Sequence, residues 1–393
     1  MILSLGLIIL LGLCLNAILV KFRIPSLIAY ILTGILLGPY VLDMLDPDLL
    51  NISADLRRIA LIVILLRAGL TLDIKDLKIV GRGAILLSFL PATIEIIAVA
   101  FLSTWLFSIS FVEGLILGSV VAAVSPAVVV PRMIELIEKK RGTKKSIPQM
   151  VLAASSIDDI YVIVLFSIFI QLQLTQTFYI IDILLFPLSI ILGVLSGVII
   201  GIFLVCIFKK FHMRDTVKVL IIFGVAFILS FIEDYLTGII PYSSLLGVLA
   251  LGIVILKTYP ILAERLTQKF SKIWVFSEML LFVLIGALVN LSVIKTIGIS
   301  SVVLIVLAMI IRFGSVFIST FKLNLNLKER VFVFFSYLPK ATVQAAIGAI
   351  PLSLGIPGGE IILGISVLSI FITAPAGAIL IDLTQEKLLT TEN

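Results

Sequence analysis

The sequence alternates between apolar stretches of about 20 residues and short segments that hold most of its charged residues. A helix of about 20 apolar residues spans the hydrocarbon core of a bilayer, because each residue adds about 1.5 Å along the axis. Of the 393 residues, 61% are hydrophobic and only 13% are charged. A water-soluble domain would lack polar groups for its surface with this composition. We therefore predict an all-α integral membrane protein.

The positions of the apolar stretches predict thirteen membrane spans joined by short loops. Residues 1–20 lack a basic N-terminal region and a small-residue cleavage site, so we interpret them as a retained helix rather than a signal peptide. The predicted spans are residues 2–20, 27–42, 56–73, 83–108, 111–131, 148–172, 179–208, 216–233, 243–257, 274–293, 297–321, 330–353 and 360–381.

The basic residues are distributed unequally between the two sides of this predicted topology. Of the 29 Lys and Arg residues, 23 fall in the loops of one side and the C-terminal tail, three on the other side and three within spans. Basic loops stay in the cytoplasm, which predicts a multi-pass protein of the cell membrane with its N-terminus outside and its C-terminus inside. The net charge of +6 then needs no nucleic-acid partner. The basic loop 139–146 is interpreted as a cytoplasmic anchor, with a lipid-headgroup or regulatory site as the alternative.

Cysteine and histidine are too few to build a disulfide scaffold, a metal cluster or a catalytic site. Cys14 and Cys206 lie in apolar segments, and we expect both to be small core residues. The one histidine, His212, lies in a basic loop and is expected at the surface. No cofactor is predicted.

Two adjacent carboxylates, Asp158 and Asp159, interrupt the apolar stretch VLAASSIDDIYVIVLFSIFI at residues 151–170. A charge at the bilayer centre costs about 3 kcal/mol or more, so such a residue usually has a function. Asp158 lies about 18 Å along its span, which places it near the midplane. A buried structural salt bridge is the alternative, but two neighbouring anions suit that purpose poorly.

Three further charges lie deep in predicted spans, namely Glu95, Arg312 and Lys340. Arg67 and Glu278 lie closer to the ends of their spans, where they can reach the interface or cap a helix. Two spans also contain a proline at a similar depth, Pro126 in AAVSPAVVVP and Pro339 in SYLPKATVQAAIG. Proline frees backbone carbonyls, which is tolerated within a membrane only against protein or a water-filled cavity.

The spacing of these residues indicates an inverted repeat. Glu95 precedes Pro126 by 31 residues, and Arg312 precedes Pro339 by 27. An offset of seven spans makes spans four to six and eleven to thirteen inverted relative to each other. Inverted repeats with broken helices that meet near the midplane are typical of secondary transporters. Lys340 would lie at one break, where it can offset the partial negative charge of a half-helix C-terminus.

Several motifs in the same order resemble the cation:proton antiporter superfamily over nearly the whole chain. RIPSLIAYILTGILLGP and LLRAGLTLDIKDL resemble its general signatures. VSPAVVVP, SSIDDI and LPKATVQAAIG resemble the NHA-type sodium/proton exchangers, close to NhaA and NapA. The chain departs from NhaA and NapA because Arg312 stands where they have a lysine, an arrangement that the NHA-type exchangers share. In that arrangement Glu95 is expected to be the partner of Arg312.

The resemblance implies an NhaA-like fold with two crossed broken helices, working as a homodimer by elevator-like alternating access. It implies a mobile core domain, approximately residues 83–172 and 297–381. It also implies a dimerisation domain, approximately residues 1–73 and 179–293.

The chemistry of a small cation suggests roles for the aspartates. Na⁺ or Li⁺ is bound by oxygen atoms, and two poorly hydrated carboxylates repel each other, so the site favours a bound cation or bound protons. We expect Asp159 to be the principal Na⁺ ligand and Asp158 the second ligand and proton carrier. Ser125 and Ser155 or Ser156 are expected to add oxygens.

The stoichiometry and the cation remain open, and other classes compete. If both aspartates release protons, two H⁺ exchange for one Na⁺ and transport is electrogenic; the sequence favours this case, because Glu95 could occupy Arg312. If Arg312 or Lys340 holds Asp158 ionised, exchange is electroneutral. Exchange of K⁺ and a potassium efflux channel are further alternatives. An intramembrane aspartyl protease is disfavoured, because its aspartates face each other from two helices.

Overall fold

The computed structural model describes residues 1–22, 24–71, 81–175, 180–236 and 242–391; the side chains of residues 138, 156, 175, 180–187 and 190 lie outside this description. The described residues form α-helices joined by short turns, with two short 3₁₀ turns and one isolated β-bridge between Arg141 and Thr391. The helices are Ile2–Leu19 (α1), Ser26–Leu37 (α2), Pro47–Asn51 (α3), Ser53–Thr71 (α4), Arg82–Phe107 (α5), Phe111–Ala122 (α6), Pro126–Glu138 (α7), Ile147–Thr175 (α8), Ile180–Lys210 (α9), Asp215–Leu236 (α10), Ser244–Thr258 (α11), Pro260–Ala287 (α12), Leu291–Ser319 (α13), Leu327–Ser336 (α14), Thr342–Ile347 (α15), Ile350–Ser353 (α16) and Gly359–Leu388 (α17).

Within the described residues, nine stretches are long and apolar enough to cross a membrane. They overlap nine of the thirteen predicted spans. The other four coincide with helices that are shorter, interrupted or more charged, so the count of thirteen stays a prediction. These four are residues 27–42, 56–73, 243–257 and 330–353.

Helix α12 begins earlier than the sequence predicts. The predicted span covers residues 274–293, whereas the helix starts at Pro260 and ends at Ala287. Proline suits the first turn of a helix, since its missing N–H is not needed there. The charged residues before residue 274 therefore lie on an extension of the helix. The sequence analysis predicts a loop there because the apolar stretch begins only at residue 274.

The chain packs as two compact units. One contains Met1–Ala54, Lys75–Thr175 and Met279–Asn393, and we call it unit 1. The other, unit 2, contains Asp55–Ile74 and Gln176–Glu278. All the residues of the predicted core domain fall in unit 1. Whether the two functional domains have the predicted boundaries stays a prediction.

Glycines bring α5 and α6 into close contact in unit 1. A Cβ atom at Gly118 would lie 2.6 Å from the carbonyl oxygen of Ile96, and one at Gly114 would lie 2.8 Å from that of Ala100. Both distances are shorter than van der Waals contact, so a side chain at either position would force the helices apart. This contact fixes Glu95, the neighbour of Ile96, against the end of α6.

Two helices of unit 1 are interrupted near the predicted proline positions. Between α6 and α7 the backbone is extended, with ψ 140° at Ala123 and ψ 110° at Ser125, and Pro126 is the first residue of α7. Between α14 and α15 residues 337–341 leave the helix, and Pro339 lies within this segment. A proline lacks a backbone donor and disfavours helical geometry in the residue before it. The breaks therefore follow from the sequence.

The cysteine prediction was wrong. Both Cys14 and Cys206 are exposed on their helices rather than packed in a core. The surface of a membrane protein that faces lipid is as apolar as its interior, so apolar neighbours in the sequence do not indicate burial.

Candidate functional site

The two interrupted helices meet at their breaks. The backbone N–H of Ser125 donates a hydrogen bond of 2.7 Å to the carbonyl oxygen of Pro339. The hydroxyl groups of Ser125 and Thr342 lie 3.5 Å apart. Both serine and threonine are buried, so two hydroxyl oxygens face each other beside the non-helical backbone of the breaks.

Side-chain donors satisfy the carbonyl groups at the C-terminal end of α6. Lys340 Nζ donates to the carbonyl of Val121, and Arg312 Nη1 donates to that of Ala122. The Gln344 amide donates to the carbonyl of the next residue, Ala123, at 2.9 Å. The last carbonyls of a helix have no partner within it and carry a partial negative charge. Two cations and an amide therefore stabilise the end of this half-helix.

Glu95 lies between the two buried cations. One carboxylate oxygen is paired with Arg312 Nη1, and the other is 2.6 Å from Lys340 Nζ. All three side chains are almost completely buried. Two ions of one sign beside a single carboxylate would leave an excess positive charge, which is costly in the interior.

Asp158 supplies the second negative charge. Its Oδ2 atom accepts a hydrogen bond of 2.8 Å from the backbone N–H of Val124 and lies 3.6 Å from Arg312 Nη2. Its other oxygen, Oδ1, is buried and accepts no hydrogen bond from the described residues. Asp158 is therefore tied to the break by one oxygen, and its other oxygen has no donor among the described residues.

Asp159 differs from its neighbour because no described cation forms an ion pair with it. Its side chain is partly buried, and its buried Oδ1 atom accepts no hydrogen bond from the described residues. With Asp158 ionised, the charges of Glu95, Asp158, Arg312 and Lys340 add up to zero. A negative charge on Asp159 would therefore not be balanced by these four residues.

The predicted supporting residues have different surroundings. Ser125 is buried at the crossing and faces Thr342. Ser155 donates its hydroxyl proton to the carbonyl of Leu152 within its own helix, at 3.1 Å. The side chain of Ser156 lies outside the described residues. Both aspartates stand on one helix, α8, rather than facing each other from two helices as in the disfavoured protease arrangement.

Several polar residues at the crossing were not predicted. Gln344 and Thr342 are buried polar groups within an apolar segment, a signal that the sequence contains. Thr373 accepts a hydrogen bond of 3.0 Å from the backbone N–H of Lys340. The guanidinium carbon of Arg312 lies 5.7 Å from the centre of the Tyr337 ring, which allows a cation–π contact.

Arg67 and Glu278 belong to unit 2, whereas the residues of the crossing belong to unit 1. Both side chains are partly buried. A role for them stays a prediction.

Known proteins resemble this chain over most of its length. A family model described as "Sodium/hydrogen exchanger, transmembrane" matches residues 6–384. Sodium/hydrogen exchanger 9B2 of Homo sapiens is 33% identical over 383 residues, covering 93% of this chain and 70% of that protein. Sodium/hydrogen exchanger 9B1 of Homo sapiens is 29% identical over 350 residues, covering 86% of this chain and 67% of that protein.

A solved structure has the same fold. The sodium proton antiporter MjNhaP1 from Methanocaldococcus jannaschii at pH 8 aligns with a TM-score of 0.81 over 98% of both chains, at 20% identity. The family match covers nearly the whole chain, and a sodium/hydrogen exchanger is 33% identical over 93% of it. The chain is therefore a multi-pass membrane protein that belongs to the sodium/hydrogen exchanger family, within the cation:proton antiporter superfamily that its motifs resemble.

Proposed function

We propose that this protein exchanges Na⁺ or Li⁺ for H⁺ by alternating access, and that Asp159 is the carboxylate at which the two ions compete. The observation that carries the proposal is the charge balance at the crossing. Asp158 and Glu95 are paired with Arg312 and Lys340, and Asp159 has no ion pair among the described residues. An unpaired charge is costly inside a membrane, so Asp159 crosses only with a cation or a proton bound.

The free oxygens near Asp159 suit a small hard cation. Asp158 Oδ1 and Asp159 Oδ1 are buried without hydrogen-bond donors from the described residues. Such oxygens are the ligands that Na⁺ and Li⁺ prefer over nitrogen or sulfur. Ser125 and Thr342 can add hydroxyl oxygens from the break, and Ser155 and Ser156 stay lower-ranked candidates.

The contacts of Arg312 favour exchange of one proton for one Na⁺. The electrogenic expectation required Glu95 to keep Arg312 away from Asp158. Instead, Arg312 pairs with Glu95 through Nη1 and lies 3.6 Å from Asp158 through Nη2. Arginine does not release its proton in proteins, so it favours the ionised form of Asp158. Exchange of two protons for one Na⁺ remains the competing mechanism, and the potential dependence of transport separates the two.

The substitution Asp159→Asn tests the ligand assignment. It keeps the shape of the side chain and removes its charge, so we expect Na⁺/H⁺ exchange in proteoliposomes to be lost. We also expect Na⁺ to stop stabilising the purified protein against heat. For the unchanged protein, Na⁺ at 100 times its Kd adds about 2.7 kcal/mol to stability. Asp48→Asn, a change at an exposed aspartate of α3, is the matched control and should keep both properties. Normal exchange and normal Na⁺ stabilisation by Asp159→Asn would contradict the assignment.

Alternating access is proposed from the paired breaks of the fold. The break before Pro126 and the break around Pro339 are joined by a backbone hydrogen bond, and paired breaks of this kind are typical of secondary transporters. We propose that the predicted core domain, residues 83–172 and 297–381, moves against the predicted dimerisation domain, residues 1–73 and 179–293, within a homodimer. Crosslinking of the protein in its native membrane tests the dimer.

The location in the cell membrane, with the N-terminus outside, is proposed from the excess of basic residues in the loops of one side. A channel and a K⁺/H⁺ exchanger are alternatives to this function. Saturation of Na⁺ uptake and proton counterflow in vesicles would exclude a channel. Competition by K⁺ against Na⁺ would identify the exchanged cation.

A further inference from the structure

An open groove lies on unit 1, away from the aspartate pair. It has a volume of about 580 Å³, within the range of small-molecule sites of about 300–1,000 Å³. Three helices or their ends line it: Arg82, Leu86 and Leu90 from α5, Phe317 and Ile318 from α13, Phe321 just beyond α13, and Arg330 from α14. Two arginines stand at one end of an otherwise apolar groove.

Arg330 has no partner among the described residues. Its Nε atom is buried and donates no hydrogen bond to any of them. The adjacent carboxylate of Glu329 makes its contacts elsewhere, because its Oε2 atom accepts hydrogen bonds of 2.8 Å from Lys145 and of 2.7 Å from the backbone N–H of Asn326. A buried donor without an acceptor costs free energy, and the cost is larger for a charged group. The guanidinium therefore has a donor that a bound anion can satisfy.

The described segments that line the groove, residues 81–91 and 317–330, supply no carboxylate that pairs with Arg330 or Arg82. Between residues 317 and 330 the only acidic residue is Glu329, and between residues 81 and 91 there is none. Arg82, Lys322 and Lys328 add positive charge to the same end and form no ion pair with a described residue. The positive end belongs to the side that the charge bias assigns to the cytoplasm.

The other walls of the groove are apolar, and part of their surface is exposed. Ile318 and Phe321 are each 59% exposed, although both are large apolar residues. In a membrane protein, exposed apolar side chains of this kind are suited to contact with acyl chains. The groove therefore combines a cationic end with apolar walls, which matches a molecule with an anionic head and an apolar tail.

We propose that this groove binds one anionic phospholipid of the cytoplasmic leaflet. Its phosphate accepts hydrogen bonds from Arg330 and Arg82, since a guanidinium can bind a phosphate through two parallel hydrogen bonds. One acyl chain lies along Leu86, Leu90 and Phe317. Basic pockets between transmembrane helices on the cytoplasmic side are suited to such headgroups.

The bound lipid would hold together the helices that carry the buried charges. Glu95 stands on α5, Arg312 on α13, and α14 is the first half of the second interrupted helix. A lipid that contacts all three stabilises this part of unit 1. It can do so without touching the ion site, so the proposal does not rest on the proposed exchange mechanism.

The test measures lipid binding to the delipidated protein by native mass spectrometry, with phosphatidylglycerol and phosphatidylcholine as probes. We expect one phosphatidylglycerol to bind with at least about tenfold higher affinity than phosphatidylcholine, as expected for charge-assisted hydrogen bonds. Arg330→Gln and Arg82→Gln should each remove most of this preference. Leu90→Trp keeps the charges and fills the groove, so it should weaken binding of both lipids. Arg214→Gln, at an exposed arginine of another predicted cytoplasmic loop, is the matched control and should bind as the unchanged protein does.

Three results would overturn the proposal. The first is an absence of preference for phosphatidylglycerol in the unchanged protein. The second is an equal loss of preference in Arg214→Gln and Arg330→Gln, which would indicate general surface charge. The third is full competition by inorganic phosphate or by glycerophosphoglycerol, which would mean that the apolar walls do not contribute. Since Arg82 is exposed, Arg82→Gln provides a result even if Arg330→Gln does not fold.

Discussion

The buried pair of Glu95 and Arg312 makes a prediction about charge balance that can be tested by stability. With Asp158 ionised, Glu95 and Asp158 balance Arg312 and Lys340, and all four side chains are nearly inaccessible. Glu95→Gln leaves a net charge of +1 in this group, and Arg312→Gln leaves −1. Breaking a buried pair by removing one partner costs about 3–5 kcal/mol, because the remaining charge is uncompensated. We expect each single change to lower stability by that amount.

The double change Glu95→Gln with Arg312→Gln restores a net charge of zero. It should therefore recover much of the loss, with a coupling energy of about 2–3 kcal/mol. Combining Glu95→Gln with Asp158→Asn instead raises the net charge of this group to +2. This double variant should therefore be less stable than either single variant. The assay is thermal unfolding of the purified variants in lipid nanodiscs at pH 7.

A distant pair provides the control for this cycle. Arg132 binds Asp382 at 2.9 and 3.1 Å in unit 1. Arg132→Gln combined with Glu95→Gln should show losses that add within about 0.5 kcal/mol. Strictly additive losses for Glu95→Gln and Arg312→Gln would refute the charge-balance reasoning, as would greater stability of the double Glu95→Gln and Asp158→Asn variant.

Three further changes test the geometry of the crossing. Gln344→Leu leaves the Ala123 carbonyl without its donor and should cost about 1–3 kcal/mol in thermal unfolding; unchanged stability would contradict this. Gly118→Ala forces α5 and α6 apart and should cost about 1–3 kcal/mol, whereas Gly314→Ala, where no atom lies within 4 Å of the added Cβ, should not destabilise. Asp158→Asn should raise the KM for Na⁺ in proteoliposomes because it removes a ligand, and an unchanged KM would exclude Asp158 as one.

The sequence predicted the positions of the breaks because their cause is local. Pro126 and Pro339 remove a backbone donor and disfavour helical geometry in the residue before them, so each favours a break at its own position. Proline alone does not decide this, since Pro91 and Pro375 lie inside helices. The helices themselves follow from the length of each apolar stretch. The start of α12 at Pro260 was missed because its charged first turns continue as helix beyond the apolar part. Exposure of Cys14 and Cys206 was missed because lipid and protein interior look alike in sequence.

The contacts of the buried charges depend on tertiary geometry, which spacing does not contain. The sequence paired Arg312 with one carboxylate, and the structure gives it two, Glu95 and Asp158. A guanidinium has five donors on a planar fork, so it can contact several acceptors at once. The sequence predicts Lys340 at a break. It does not predict the contact of Lys340 with Glu95, because the two residues lie 245 positions apart in the chain. Gln344 was not predicted as a site residue, because a single amide in an apolar segment forms no recurring pattern in the sequence.

The most direct test of one-for-one exchange at Asp159 is Na⁺ uptake into proteoliposomes with no pH gradient and an imposed K⁺-diffusion potential. The vesicles must be shown to hold the potential, and both signs of it must be applied. If Asp158 stays ionised, each cycle moves no net charge, and the rate should not change with the sign or size of the potential. A rate that follows the potential, which is worth about 2.3 kcal/mol per charge per 100 mV, would mean that each cycle moves net charge, as exchange of two protons for one Na⁺ does, and would contradict the account.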